Sequence, residues 1–236
     1  MASLERVRAA LRKRRREISA ERWRELARTV PGTLLRVATS ESAFTDVEST
    51  AERLRDYTIA DLLKDCTAAG EGNRRSRPPP IQIAESSCRE LERLAVLHDA
   101  AGHVSAHFAK QFGLTTERGN DGDGDEAEAR WQAWGEHRAE ASRHAAKALR
   151  RLRSAMANLD AAARVTCVVS GSTVRSPLGW GLEAHRLLRH TGREAAEALE
   201  AVGRMRHAVV LEFFDAWMLL SRLEARGGAQ AGEQPA

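Results

Sequence analysis

Apolar residues recur at helical spacing along almost the whole chain. After Pro31, Val37, Phe44, Ala51 and Thr58 repeat at seven, and Ser40, Val47 and Leu54 fall between them at the partner positions of a heptad. Further on, Leu94, Ala101 and Phe108 form one row, Leu91, His98, Ser105 and Phe112 a second, and Leu97 and Val104 widen the stripe. A third stretch places Trp131, Trp134, Ala141, Ala145, Ala148, Leu152, Met156 and Leu159 on one side of a helical wheel. The fourth, 182–226, carries Leu188, Ala195, Val202 and Val209 at sevens and closes in HAVVLEFFDAWMLLSRLEA. That last segment is apolar nearly all round, which implies burial on more than one side.

Three interruptions separate these stretches: AAGEGNRRSRPPP at 68–80, the acidic ERGNDGDGDE at 117–126, and SGSTVRSPLGWG at 170–181. Pro31 and Gly32 make a weaker break, and the tail GGAQAGEQPA has the composition of a disordered end. Each stretch has room for a helix of roughly 30 residues, about 45 Å at 1.5 Å per residue, longer than a compact bundle needs. The pattern predicts an all-α fold, an elongated antiparallel coiled-coil bundle. Narrow seams and a fully apolar terminal segment would leave much of a lone chain's surface wet, so a homodimer is expected to cover it. The seams nominate Phe44, Leu94, Phe108, Val202, Phe213 and Trp217 for burial, within one chain or between two. The expected organisation is a basic N-terminal helix at 1–30, the bundle at 31–226 and a disordered tail at 227–236.

Composition agrees with helix. There are only six prolines, Ala, Leu, Glu and Arg are abundant, and a hydrophobic share of 42% supports a core. Cys66, Cys88 and Cys167 are odd in number and far apart, which fits neither a disulfide framework nor a metal knuckle and points to a reducing, cytoplasmic compartment. No secretory leader and no run near the roughly 20 apolar residues of a membrane span is present, so a soluble or peripheral protein is expected.

Charge is distributed unevenly. The net charge is +4, yet residues 1–30 hold ten basic residues against four acidic ones. Within them RKRRRE supplies Arg12, Lys13, Arg14, Arg15 and Arg16, while Leu4, Val7, Leu11 and Ile18 share a narrow face, the pattern of a basic amphipathic helix suited to a membrane interface. Arg143, Lys147, Arg150 and Arg151, with Arg153 nearby, give the third stretch a basic back opposite its apolar side. These ten residues are the candidate contacts to anionic lipid, whose surface field rewards each well-placed cation by about 1 kcal/mol.

Catalytic and metal chemistry leaves little trace. His103 and His107 stand four apart as in HExxH zincins, but Val104 occupies the glutamate position, and the histidines, His98 included, read as packing. No Glu-x-x-His pair of a di-iron bundle occurs, nor any P-loop, dinucleotide fingerprint, nucleophile elbow or Cys-rich knuckle. No enzyme, cofactor or metal is expected.

Three stretches resemble a known family. STAERLRDYTIADLL, with its Arg-Leu-Arg-Asp core and following Ala-Asp-Leu-Leu, is similar to the first-helix stretch of the Chibby-interacting BAR-domain family of ciliary proteins, within the BAR superfamily. RELERLAVLHDA resembles its second helix, and AAEALEAVGRMRHAVVLEFFDAWMLL its final helix, where a polar heptad stretch leads into a Phe-rich end. The match runs from about residue 33 to 225, and the insertions at 117–126 and 170–181 depart from the family pattern. The resemblance implies an antiparallel crescent homodimer that binds anionic phospholipid and senses or shapes membrane curvature. It further implies a peripheral place at a ciliary or flagellar base and a small coiled-coil adaptor as partner. Against this stands a structural coiled-coil subunit without lipid binding, whose basic faces are merely solvated. Nucleic acid is disfavoured because the basic clusters lack aromatic neighbours for base stacking.

Overall fold

The computed structural model describes residues 29–69, 79–111, 123–170 and 177–231, excepting the side chains at 67–69, 105–111, 123–128, 167–170, 177–180, 220 and 222–231. Among the described residues every regular element is a helix, so the protein is all-α there. Three short helices come first: α1 (Val30–Ala38), α2 (Glu41–Arg55) and α3 (Ile59–Ala69). Three long ones follow: α4 (Pro79–Gln111), α5 (Asp123–Ser170) and α6 (Pro177–Ala231), of 33, 48 and 55 residues. The expected interruptions at 68–80, 117–126 and 170–181 lie where α3, α4 and α5 end and the next helix begins.

The first apolar stretch is not one helix, although its heptad runs on without a gap. Pro31 sits in the opening turn of α1, where its missing N–H costs no hydrogen bond, so the Pro-Gly pair starts a helix instead of breaking one. At the other end of α1 the Thr39 hydroxyl donates to the Leu35 carbonyl at 2.7 Å and Ser40 Oγ to the Arg36 carbonyl at 2.5 Å. The Leu35 carbonyl keeps its backbone bond from the Thr39 N–H at 2.8 Å, whereas the Ser40 N–H turns to the Val37 carbonyl at 3.3 Å and its hydroxyl takes over the Arg36 carbonyl that a continuing helix would have bonded through its backbone. The second break is a capping box. Thr58 donates to Asp61 Oδ2 through its N–H at 3.0 Å and its hydroxyl at 2.6 Å, and the Asp61 N–H returns to Thr58 Oγ1 at 3.3 Å. Those bonds hold the Asp61 carboxyl below the usual carboxylate range. Beside them the Tyr57 hydroxyl donates to Asp65 Oδ2 at 2.5 Å; half-burial and that bond raise the phenol well above its ordinary value.

The helices form two compact units. The first takes α1, α4 from Leu94, α5 as far as Arg143, and α6 from Met205; the second takes α2, α3 and the remaining parts of the long helices. Val30 and Leu34 of α1, Ala101 of α4, Trp134 of α5, and Ala216 and Leu219 of α6 make the core of the first unit, with Val104, Trp131 and Phe213 packed against it. Trp131 and Trp134 meet edge to face, centroids 5.1 Å apart, the arrangement that aromatic quadrupoles prefer.

In the second unit Phe44, Val47 and Leu54 of α2, Leu62 of α3, and Ile81, Ala84 and Leu91 of α4 are buried. Ala145, Ala148, Leu152, Ala155 and Leu159 of α5 and Ala184, Ala195, Ala198 and Val202 of α6 are buried as well. Cys88 lies against Met156 at 3.9 Å and Glu92 pairs with Arg153, so α4 and α5 run antiparallel there. Thr50 and Ser87 hydroxyls share a buried bond of 2.8 Å that ties α2 to α4. Burial pushes the Cys88 thiol up to about 11.

Candidate functional site

The cations of α5 fall into two groups. Arg151 donates to Glu194 Oε1 and Oε2 at 2.9 Å and reaches Glu197 Oε2 at 2.8 Å, while Arg153 pairs with Glu92. These two arginines brace α5 against α6 and α4, and the side-chain bond to Glu194 raises the Arg151 guanidinium further above its ordinary value. Arg143 and Arg150 are exposed and Lys147 is half-buried, and none of the three has an ion pair among the described residues. They follow one another at four and three residues along α5, away from the ridge of Ala141, Ala145, Ala148 and Leu152 that the helix buries. Of the other predicted contacts, Arg12, Lys13, Arg14, Arg15 and Arg16 lie outside the described residues.

The seam residues also separate. Phe44, Leu94 and Val202 are buried and Phe213 is half-buried. Trp217 is 50% exposed, as is its neighbour Phe214 at 53%, and the side chain of Phe108 lies outside the described residues.

One buried polar constellation was hidden from sequence reasoning. In the first unit the carboxylate of Glu212 on α6 is fully buried, and it receives two partners from two other helices. Trp134 of α5 donates its indole N–H to Oε1 at 3.1 Å, and His98 of α4, only 2% exposed, bonds Oε2 through Nε2. One turn further along α6, Asp215 takes a 2.8 Å bond from His137 Nδ1, with Arg130 at 4.0 Å. Arg138 donates to the Gly102 carbonyl at 2.8 Å, and a Cβ on Gly102 would overlap that guanidinium. The three helices are therefore pinned in one register by hydrogen bonds among buried and half-buried polar side chains.

The clue in the sequence was Glu212 itself, a charge inside VVLEFF that must find a partner when its helix is buried. His103 stands 3.6 Å from Asp99 on its own helix, and among the described residues no group of three or more His, Cys, Asp or Glu is placed to hold a metal ion.

No family of proteins, no curated protein and no solved structure matches the chain.

A second cationic surface, which the apolar spacing of the fourth stretch obscured, lies on α6 in the second unit. Leu182 is 72% exposed, and His185, Arg186, Arg189 and Arg193 are exposed on the same side of the helix. The opposite side carries the buried Ala184, Leu188, Thr191 and Ala195. No described helix is long and apolar enough to cross a membrane.

Proposed function

We propose that the protein is a non-enzymatic peripheral module that binds anionic phospholipid, acting as a BAR-like homodimer that senses or shapes membrane curvature. The observation that carries the reading is the division of labour on α5: Arg151 and Arg153 are spent on inter-helix ion pairs, while Arg143, Lys147 and Arg150 face away from the buried ridge without one among the described residues. Cations on a helix face without a protein partner are what a negatively charged leaflet attracts, at about 1 kcal/mol each near the surface. Two copies in one particle would double that set, which makes reversible binding strong enough to matter without any inserted anchor. Exposed Phe214 and Trp217 on α6 favour a second copy of the chain as the cover for that face.

The test is cosedimentation with phosphatidylserine/phosphatidylcholine vesicles against phosphatidylcholine alone. Binding is expected only with the anionic lipid and should weaken as salt rises. The triple variant Arg143→Glu/Lys147→Glu/Arg150→Glu should bind at least about a hundredfold more weakly, three lost contributions of about 1 kcal/mol. Wild-type protein left in the supernatant would remove the reading. A triple variant that binds like wild type would remove α5 from it.

A further inference from the structure

The α6 surface has a composition that the α5 cations lack. Leu182 has the greatest exposure among the exposed large hydrophobic side chains of the described residues, and it is bordered on its own helix by His185, Arg186, Arg189 and Arg193. At 100° per residue, Leu182, Arg186, Arg189 and Arg193 fall within a narrow sector, with His185 at its edge. His185 and Arg189 have no ion pair among the described residues. Arg186 is held by the partly exposed Glu183 at 3.0 Å, and Arg193 lies 3.5 Å from Glu197, which is engaged more closely by Arg151 of α5. Pairs of that kind are weak and readily exchanged for another anion. Glu194, which would oppose an anionic partner, is turned toward Arg151 and engaged there.

An aliphatic tip flanked by long cationic side chains matches one environment closely. At a bilayer interface the leucine meets acyl chain, the arginine stems lie along the same apolar layer, and the guanidinium groups stay at the depth of the phosphates. Nucleic acid would instead reward aromatic platforms for base stacking, and this sector has none.

Resting on the lipid-binding reading above, we propose that Leu182, His185, Arg186, Arg189 and Arg193 form a second membrane contact, in which Leu182 enters the headgroup layer of an anionic leaflet and the arginines hold its phosphates. The contact differs from the α5 face in kind, because it adds insertion to charge.

The experiment places a nitroxide at Leu182→Cys in a Cys66→Ser/Cys167→Ser background; Cys88, buried and with its thiol pushed up to about 11, resists the label. On full-length protein, phosphatidylserine/phosphatidylcholine vesicles should shield the nitroxide from a water-soluble nickel relaxant and raise its collision rate with oxygen, while phosphatidylcholine alone changes neither. Unlabelled Arg186→Glu/Arg189→Glu/Arg193→Glu, with its helical dichroism intact, should bind anionic vesicles at least tenfold more weakly, and Leu182→Ser severalfold. If wild type binds these vesicles but the nitroxide stays in water and the α6 variant binds normally, the second contact is overturned and the α5 reading survives. Absence of wild-type binding overturns both. A duplex oligonucleotide that displaces the vesicles while the nitroxide remains in water shows the α6 surface to serve a different polyanion and overturns the contact.

Discussion

The Glu212 carboxyl is fully buried, and its two oxygens depend on His98 and Trp134. Removing one member of such a cluster costs more than the cluster itself contributes, because the remaining polar group stays buried without its partner. We therefore expect His98→Leu to destabilise the protein by about 3–5 kcal/mol, and His98→Leu/Glu212→Met to recover much of that loss. Urea denaturation of the wild type, the two single variants and the double variant measures the coupling; additive losses would show that the pair does not act as a unit. His98 could be read as lying in an apolar row from its spacing alone. Its partner is 114 residues away, and no local pattern carries that distance. What the chain did display was the anomaly, a glutamate inside VVLEFF, which a reading centred on apolar positions passes over.

Between elements the decisive contacts are backbone approaches and caps. Gly192 of α6 comes so close to the end of α2 that a Cβ there would sit 2.9 Å from the Arg55 carbonyl oxygen, whereas a Cβ on Gly203 of the same helix meets nothing within 4 Å. Alanine improves helix propensity at either position by up to about 1 kcal/mol. At Gly192 it also forces a backbone carbonyl to move, and overpacking of that kind costs about 1–3 kcal/mol. Gly203→Ala is expected to raise the melting temperature and Gly192→Ala to lower it, as followed by circular dichroism. Equal shifts would mean that α2 yields without cost.

Helical character and the three long interruptions followed from periodicity and from Gly and Pro clusters, because both act locally. The division of the first stretch into α1, α2 and α3 did not, since Val37, Phe44, Ala51 and Thr58 keep their sevenfold spacing straight across two helix ends. Thr58 and Asp61 held the missing information as a Thr-x-x-Asp capping box. The cationic sector of α6 was obscured in another way: Glu183, Glu194 and Glu197 nearly balance its charge in sequence, and only burial and pairing reveal which charges face outward.

For the molecule as a whole, α4, α5 and α6 each change from one unit to the other, at Arg93 and Leu94, at Arg143 and His144, and at Arg204 and Met205. Phe214 and Trp217 leave an apolar face open on α6 in the first unit, and the proposed homodimer would close it. Light scattering coupled to gel filtration should then give twice the 26.0 kDa chain mass, reduced to that of one chain in Phe214→Ser/Trp217→Ser. A wild-type mass of 26.0 kDa would exclude a stable homodimer and turn attention to a different coiled-coil chain as the cover.

The placement of the indoles offers one more handle. Trp131, Trp134 and Trp217 all belong to the unit that closes around Glu212, while Tyr57, the single tyrosine, belongs to the other. Ultraviolet emission excited beyond the tyrosine band therefore draws on that unit through three of the chain's five tryptophans, without any attached dye. Melted side by side with far-ultraviolet dichroism, which sums over all the helices, the emission trace of a Trp23→Phe/Trp180→Phe variant, left with those three indoles, becomes a clock for one half of the protein. The interval between the two curves is a direct measure of how independently the two halves come apart.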